Sequence, residues 1–120
     1  MDEVASVPEV LGKSFAKYLH PMWVFDRETH AFLEVNEAAV QRYRYSREEF
    51  LRMTILDIRP SEDIPELLRQ TPHPRPQGES TGERWRHRTK DGEVFPVFIT
   101  SWVLTFRGRP AELVLARRED

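Results

Sequence analysis

Four histidines, His20, His30, His73 and His87, are the side chains best suited to proton transfer or metal ligation near neutral pH. They fall on four separate segments, with no pair at metal-ligand spacing. That pattern reads as unrelated surface or loop histidines. Other chemistries are excluded outright. The chain has no cysteine, which removes thiol catalysis, thiolate metal sites and disulfides. It has neither a glycine-rich phosphate loop nor a Gly-x-Ser-x-Gly nucleophile turn. No catalytic residue and no metal ligand is assigned, and no enzymatic activity is expected of this segment. One hydroxyl stands out. Ser101 should lie on the inward, otherwise apolar face of a strand, where a buried O–H needs a partner from ligand, water or backbone.

The strand that carries Ser101 organises the second half of the chain. Thr89-Lys90-Asp91-Gly92 is a tight-turn signal, read as a two-residue hairpin at Asp91-Gly92, where glycine supplies a conformation other residues resist. Glu93 to Leu104 follows as a strand apolar on both faces. Phe95, Val97, Ile99, Ser101 and Val103 share one face; Val94, Phe98, Trp102 and Leu104 share the other. Such a strand must be covered twice, by helices on one side and by a further helix or a second chain on the other. In the preceding strand Arg84, Arg86, Arg88 and Lys90 alternate, which reads as a solvated outer face and leaves Trp85 and His87 pointing the other way.

With 120 residues the chain has room for one hydrophobic core. A formal charge of −2 gives no strong field, so nucleic-acid binding is not expected. No apolar run approaches the roughly 20 residues of a membrane helix, and no basic-then-apolar leader opens the chain. A cytoplasmic setting without membrane contact is the default.

The remaining elements are placed by capping and periodicity. Val10, Leu11, Phe15, Tyr18 and Leu19 predict an amphipathic helix from Pro8, ended by His20-Pro21. Met22 to Phe25 and Ala31 to Val35 read as a hairpin. Asn36 caps a helix through Arg42. Ser46 and Glu49 form a capping box that brings Phe50, Leu51 and Met53 inward. Ser61 opens a third helix with Ile64, Leu67 and Leu68 on one side. Thr71 to Gly82, rich in proline and glycine, is expected to be a mobile surface loop. The last turn is placed at Arg107 to Pro110 and the last strand from Ala111 to Arg117.

This order, with Trp23-Val24-Phe25-Asp26, Val35-Asn36-Glu37-Ala38-Ala39, Tyr45-Ser46-Arg47-Glu48-Glu49-Phe50, Asp57-Ile58-Arg59-Pro60-Ser61-Glu62-Asp63 and Arg88-Thr89-Lys90-Asp91-Gly92, resembles the PAS sensory domain family from about Pro21 onward. The resemblance implies an α+β fold, a five-stranded antiparallel sheet in the order 2-1-5-4-3 with short helices on one face. Residues 1–20 would be an N-terminal flanking helix and 21–120 the domain. It also implies an ion pair between Glu48 or Glu49 and Lys90. Family members usually continue from the last strand into a signalling helix, so the chain is read as a piece of a larger signalling protein with a covalently linked output domain.

The family's often-occupied pocket would be lined here by Trp23 or Val24, Phe25, Val40, Tyr43, Phe50, Ile55, Ile58, Leu67, Val97, Ile99 and Ser101, with simple core packing as the competing reading. The flavin-photoreceptor cysteine is missing, and so is the histidine that haem-binding relatives carry in the third short helix. A non-covalent small ligand stays open. The opposite sheet face, with Phe98 and Trp102 under Phe15, Tyr18 and Leu19, is expected to support a homodimer. The function expected is a sensory and dimerisation module of a bacterial signalling protein, with a sensor histidine kinase foremost. The alternative is a ligand-free interaction domain of a diguanylate cyclase or transcription regulator.

Overall fold

Caps, turns and alternation in the chain place short helices and strands around one central sheet. The computed structural model describes residues 13–70 and 78–119. In chain order these form α1 (Lys13–Lys17), β1 (Met22–Asp26), β2 (Phe32–Val35), α2 (Glu37–Tyr43) and α3 (Arg47–Phe50). Two 3-10 turns follow (Ile55–Ile58 and Ser61–Asp63), then α4 (Ile64–Gln70), β3 (Gly78–Arg88), β4 (Val94–Phe106) and β5 (Arg109–Arg118). The five strands make one sheet in the order β2-β1-β5-β4-β3, every neighbouring pair antiparallel.

The caps set the helix starts. Asn36 Oδ1 accepts from the amides of Ala39 and Met22, both at 3.0 Å, and its Nδ2 donates to the His20 carbonyl. One buried side chain thus starts α2 and anchors the beginning of β1. Ser46 and Glu49 complete the expected capping box of α3. A second capping box, Thr54 with Asp57, starts the Ile55–Ile58 turn, an element the sequence pattern did not single out.

Alternation along the central strands separates two cores. Trp23, Phe25, Phe95, Val97, Ile99, Val114 and Ala116 face the helices and pack with Ala39, Tyr43, Phe50, Ile55, Ile58 and Leu67. Met22, Val24, Phe106, Ala111 and Leu113 face the other way and pack with Phe15 of α1. On the face of the long strand away from the helices, Phe106 belongs to this second cluster, Trp102 and Leu104 pack against it only partly buried, and Val94 is exposed; Trp23, rather than Val24, belongs to the helix side.

Four expectations need correction. Composition predicts a loop through Gly82, yet β3 begins at Gly78, paired with Val103; the register shifts between Ser80 and Glu83, so the glycine-rich stretch is accommodated as a bulged edge strand. The β3–β4 joint is longer than a two-residue hairpin. The strands stop at Arg88 and Val94, and the Thr89 amide donates to the Glu93 carbonyl at 2.9 Å, with Gly92 at φ +95° absorbing the left-handed turn. The helix expected to reach Leu19 ends at Lys17, leaving Tyr18 44% and Leu19 79% exposed; only Phe15 of that trio is buried. Leu68 points outward from α4 while Leu67 is buried, because adjacent residues lie about 100° apart around a helix axis and the second turns away from the buried stripe. The stretch 8–12 of the first helix and most of the Thr71 to Gly82 segment, 71–77, lie outside the described residues.

Candidate functional site

The helix-side core has a polar centre. Tyr43 ends α2, His87 sits near the end of β3, and the phenolic oxygen lies 2.5 Å from His87 Nδ1. Both residues are fully buried. Trp23 of β1 packs against both, with ring centroids 5.6 Å from each, and Phe50 and Phe95 close around Tyr43 at 6.3 and 5.6 Å. Arg59, at the end of the Ile55–Ile58 turn, is also buried, and its guanidinium stands 4.6 Å over the ring of Trp85.

These contacts determine the protonation states. Burial raises Tyr43 far above the ordinary phenol range, against the pull of the Arg59 and Arg42 charges. Burial, and then the Arg59 charge, hold His87 well below the ordinary imidazole range. The core therefore contains a neutral imidazole hydrogen-bonded to a neutral phenol. This is a recognition chemistry rather than a general acid–base pair poised near neutral pH.

The candidate pocket residues are brought together. Phe25, Tyr43, Phe50, Ile55, Ile58, Leu67, Val97 and Ile99 share the helix-side cluster, and Val40 packs against it. Ser101 is buried and stands across from Ser80 on β3 and Val114 on β5.

This arrangement of sheet, short helices and buried core recurs in solved structures. A PAS domain of an HTR-like protein from Haloarcula marismortui superposes with a TM-score of 0.79 at 17% identity, covering 92% of this chain and 89% of that one. A PAS domain from a two-component sensor histidine kinase gives 0.69 at 25% identity over 87% and 88%. The chain has the PAS fold. The PAS domain of a LuxR-family transcriptional regulator from Burkholderia thailandensis, solved in complex with ethanol, gives 0.68 at 14% identity over 88% and 94%. No family model matches the chain, and no curated protein does.

Ion pairs tie the helices of this domain to its sheet. Of the two candidate glutamates, Glu49 makes the pair with Lys90, at 2.8 Å, while Glu48 is exposed. Lys90, first among the causes, and the Ser46 amide hold the Glu49 carboxyl below its ordinary range. Asp91 is held low by the Thr89 hydroxyl and then by Arg44, both of which donate to it. Arg86 reaches from edge strand β3 to Asp63 and Glu62, at 2.8 and 3.1 Å, and so fastens the start of α4 to the sheet. At the opposite end burial pushes the Asp26 carboxyl up, but Arg109 and the amides of Glu28 and Thr29 more than offset this and hold it low.

His87 is the main correction at the site. Reading all four histidines as surface or loop residues fails for His87, which is the polar centre of the core. The signal was the strand alternation itself. Arg84, Arg86 and Arg88 are exposed, so Trp85 and His87, one step out of phase, must point inward. Arg59 belonged to a matched motif with no role attached. Among the described residues no group of three or more His, Cys, Asp or Glu is placed to hold a metal. No helix among them is long and apolar enough to cross a membrane.

On the far face, Trp102, Leu104, Leu33 and Leu115 are partly buried around Phe15 and Phe106. Phe98 is half-buried with the Arg117 guanidinium 5.6 Å from its ring, so it is covered by its own sheet neighbour rather than by α1.

Proposed function

We propose that this chain is the sensory module of a bacterial signal-transduction protein, foremost a sensor histidine kinase, that relays a small-molecule or redox signal to a covalently linked output domain. The observation that carries this reading is the likeness to the PAS domain of a two-component sensor histidine kinase, at 25% identity along 87% of the chain. The core supplies a physical route. Trp23 of β1, His87 of β3 and Phe95 of β4 meet on Tyr43, so a ligand that alters packing there acts on three strands of one sheet. The sheet passes the change to β5, paired to both β1 and β4. The ligand is non-covalent and is neither haem nor a cysteine-linked flavin.

A second reading, a ligand-free interaction domain of a diguanylate cyclase or transcription regulator, is favoured by the closeness of the core, where every candidate pocket residue is buried except Val40, which is partly so. Native mass spectrometry of freshly purified protein against its denatured mass, with an absorption scan, separates the two. Extra mass lost on denaturation is the expected result. A protein that carries no small molecule and binds none from a metabolite library overturns the sensing reading.

A further inference from the structure

We propose that residues 2–11 of this chain fold back over the far face of the sheet and dock in a cationic, aromatic hollow at its His20 end. The hollow has a volume of about 460 Å³ and is bordered by His20, Phe98, Arg117, Arg118 and Glu119. Strand register builds it. Arg117 on β5 stands across from Phe98 on β4, and Phe98 across from Arg84 on β3, while the Ala116 amide donates to the Pro21 carbonyl and so brings His20 alongside. Most of the charges here are already matched, Arg118 by Glu93 and Glu119 by Arg84, both at 3.2 Å. Arg117 is the exception. It is exposed and has no carboxylate partner among the described residues. Its guanidinium lies 5.6 Å from the Phe98 ring, a contact that uses none of the N–H donors a carboxylate would take up.

Charge and reach select the occupant. Residues 1–12 hold Asp2, Glu3 and Glu9 and no lysine or arginine, interleaved with Val4, Val7, Val10 and Leu11. The carboxylates complement Arg117, and the apolar side chains suit the half-buried Phe98 ring and the neighbouring Tyr18 and Leu19, which are exposed. α1 leads the chain into His20, so the stretch before Lys13 reaches the hollow by doubling back along that helix. Gly12 stands at the point of reversal, where its backbone freedom allows a tight turn. Residues 2–11 span up to about 33 Å when extended, against about 7.5 Å for α1, so the reach is ample. A short tether also holds the segment at an effective concentration of about millimolar, which favours the chain's own segment over that of a second molecule. The contact is confined to this end of the face; Trp102, further along β4 from Phe98, lies outside it.

The chain has no cysteine, so Ser6→Cys gives a single attachment point for a nitroxide whose broadening of amide signals is read by NMR. In one sample, protein carrying both the nitroxide and ¹⁵N is diluted into an excess of protein carrying neither, which restricts the broadening to one molecule. In a second sample the nitroxide and the ¹⁵N are on different molecules. The expected result is broadening of the His20, Phe98 and Arg117 amides in the first sample and none in the second. Arg117→Glu, at an exposed position, should abolish it. So should Asp2→Asn, Glu3→Gln and Glu9→Gln combined, which leave every residue of the sheet and helices unchanged and decide the matter if Arg117→Glu does not fold. Broadening of these amides in the second sample would seat a second copy's segment in the hollow and overturn the assignment. Amides unaffected in both samples overturn the proposal. Broadening that persists once the three carboxylates are neutral overturns it too, because apolar contact would then hold the segment without Arg117.

Discussion

Full burial opposes a charge on His87, and the Arg59 charge adds to that cost, so the folded protein refuses a proton that the unfolded chain accepts below about pH 6.5. The sign follows directly. Between the folded and unfolded pKa values the unfolded state binds more protons, and stability falls as the pH falls. The expected slope is up to about 1.4 kcal/mol per pH unit below pH 6.5. Urea unfolding at pH 7.5, 6 and 5 measures it, and His87→Phe should flatten it in that range. The lowered carboxylates, Asp26 among them, lose their contribution only at more acidic pH, through their own depressed pKa values. A second residue-scale expectation concerns Arg44. It closes α2 at φ 70°, a left-handed conformation that side chains resist and glycine accepts. Arg44→Gly should gain about 0.5–1 kcal/mol by relieving this strain, offset in part by the loss of its pair with Asp91; a lower melting temperature would show that the ion pair outweighs the strain. Residues whose roles are set within a few positions, such as Asn36, Ser46 and Gly92, were legible in the sequence. The role of His87 depends on Tyr43, 44 positions away, and on Arg59, so type and spacing did not reveal it.

Capping explains why such short helices hold their places. α3 has only four residues, too few to be stable by propagation, and relies on the Ser46–Glu49 box and the burial of Phe50. Ser46→Ala should therefore cost about 1 kcal/mol and raise amide exchange across Arg47–Phe50 before the rest of the domain loosens; an unchanged exchange profile would mean that Phe50 alone fixes the helix. Strand order, helix starts and the inward residues of β4 could be read because alternation and caps are local signals. The start of β3 could not. Prolines and glycines around it argue for a loop, and only pairing of Gly78, Glu79 and Ser80 with Val103, Trp102 and Ser101 makes it a strand. Tertiary pairing overrode local propensity there, and the bulge is the sign of that compromise.

The sheet is apolar on both sides, and the two coverings are unequal. On the helix side, α2, α3, the Ile55–Ile58 turn and α4 bury a cluster that includes Trp23, Tyr43 and Phe50. On the far side the described part of α1 contributes Phe15, while Trp102, Leu104 and Leu115 are only partly buried, and Tyr18 and Leu19 are exposed. We propose that a second copy completes this covering, because a contiguous apolar face favours a self-complementary contact about a two-fold axis. Trp102 lies on that face, across from Leu113 on β5, and a charge there must be desolvated for the contact to form. Trp102→Glu should convert a dimer to monomer by light scattering at matched concentration, with circular dichroism showing the sheet intact. If that variant precipitates, Leu19→Glu tests the same contact from the exposed rim, where folding does not depend on the side chain. Dimers that persist unchanged in both soluble variants would place the contact elsewhere and leave the far face as this domain's own satellite core.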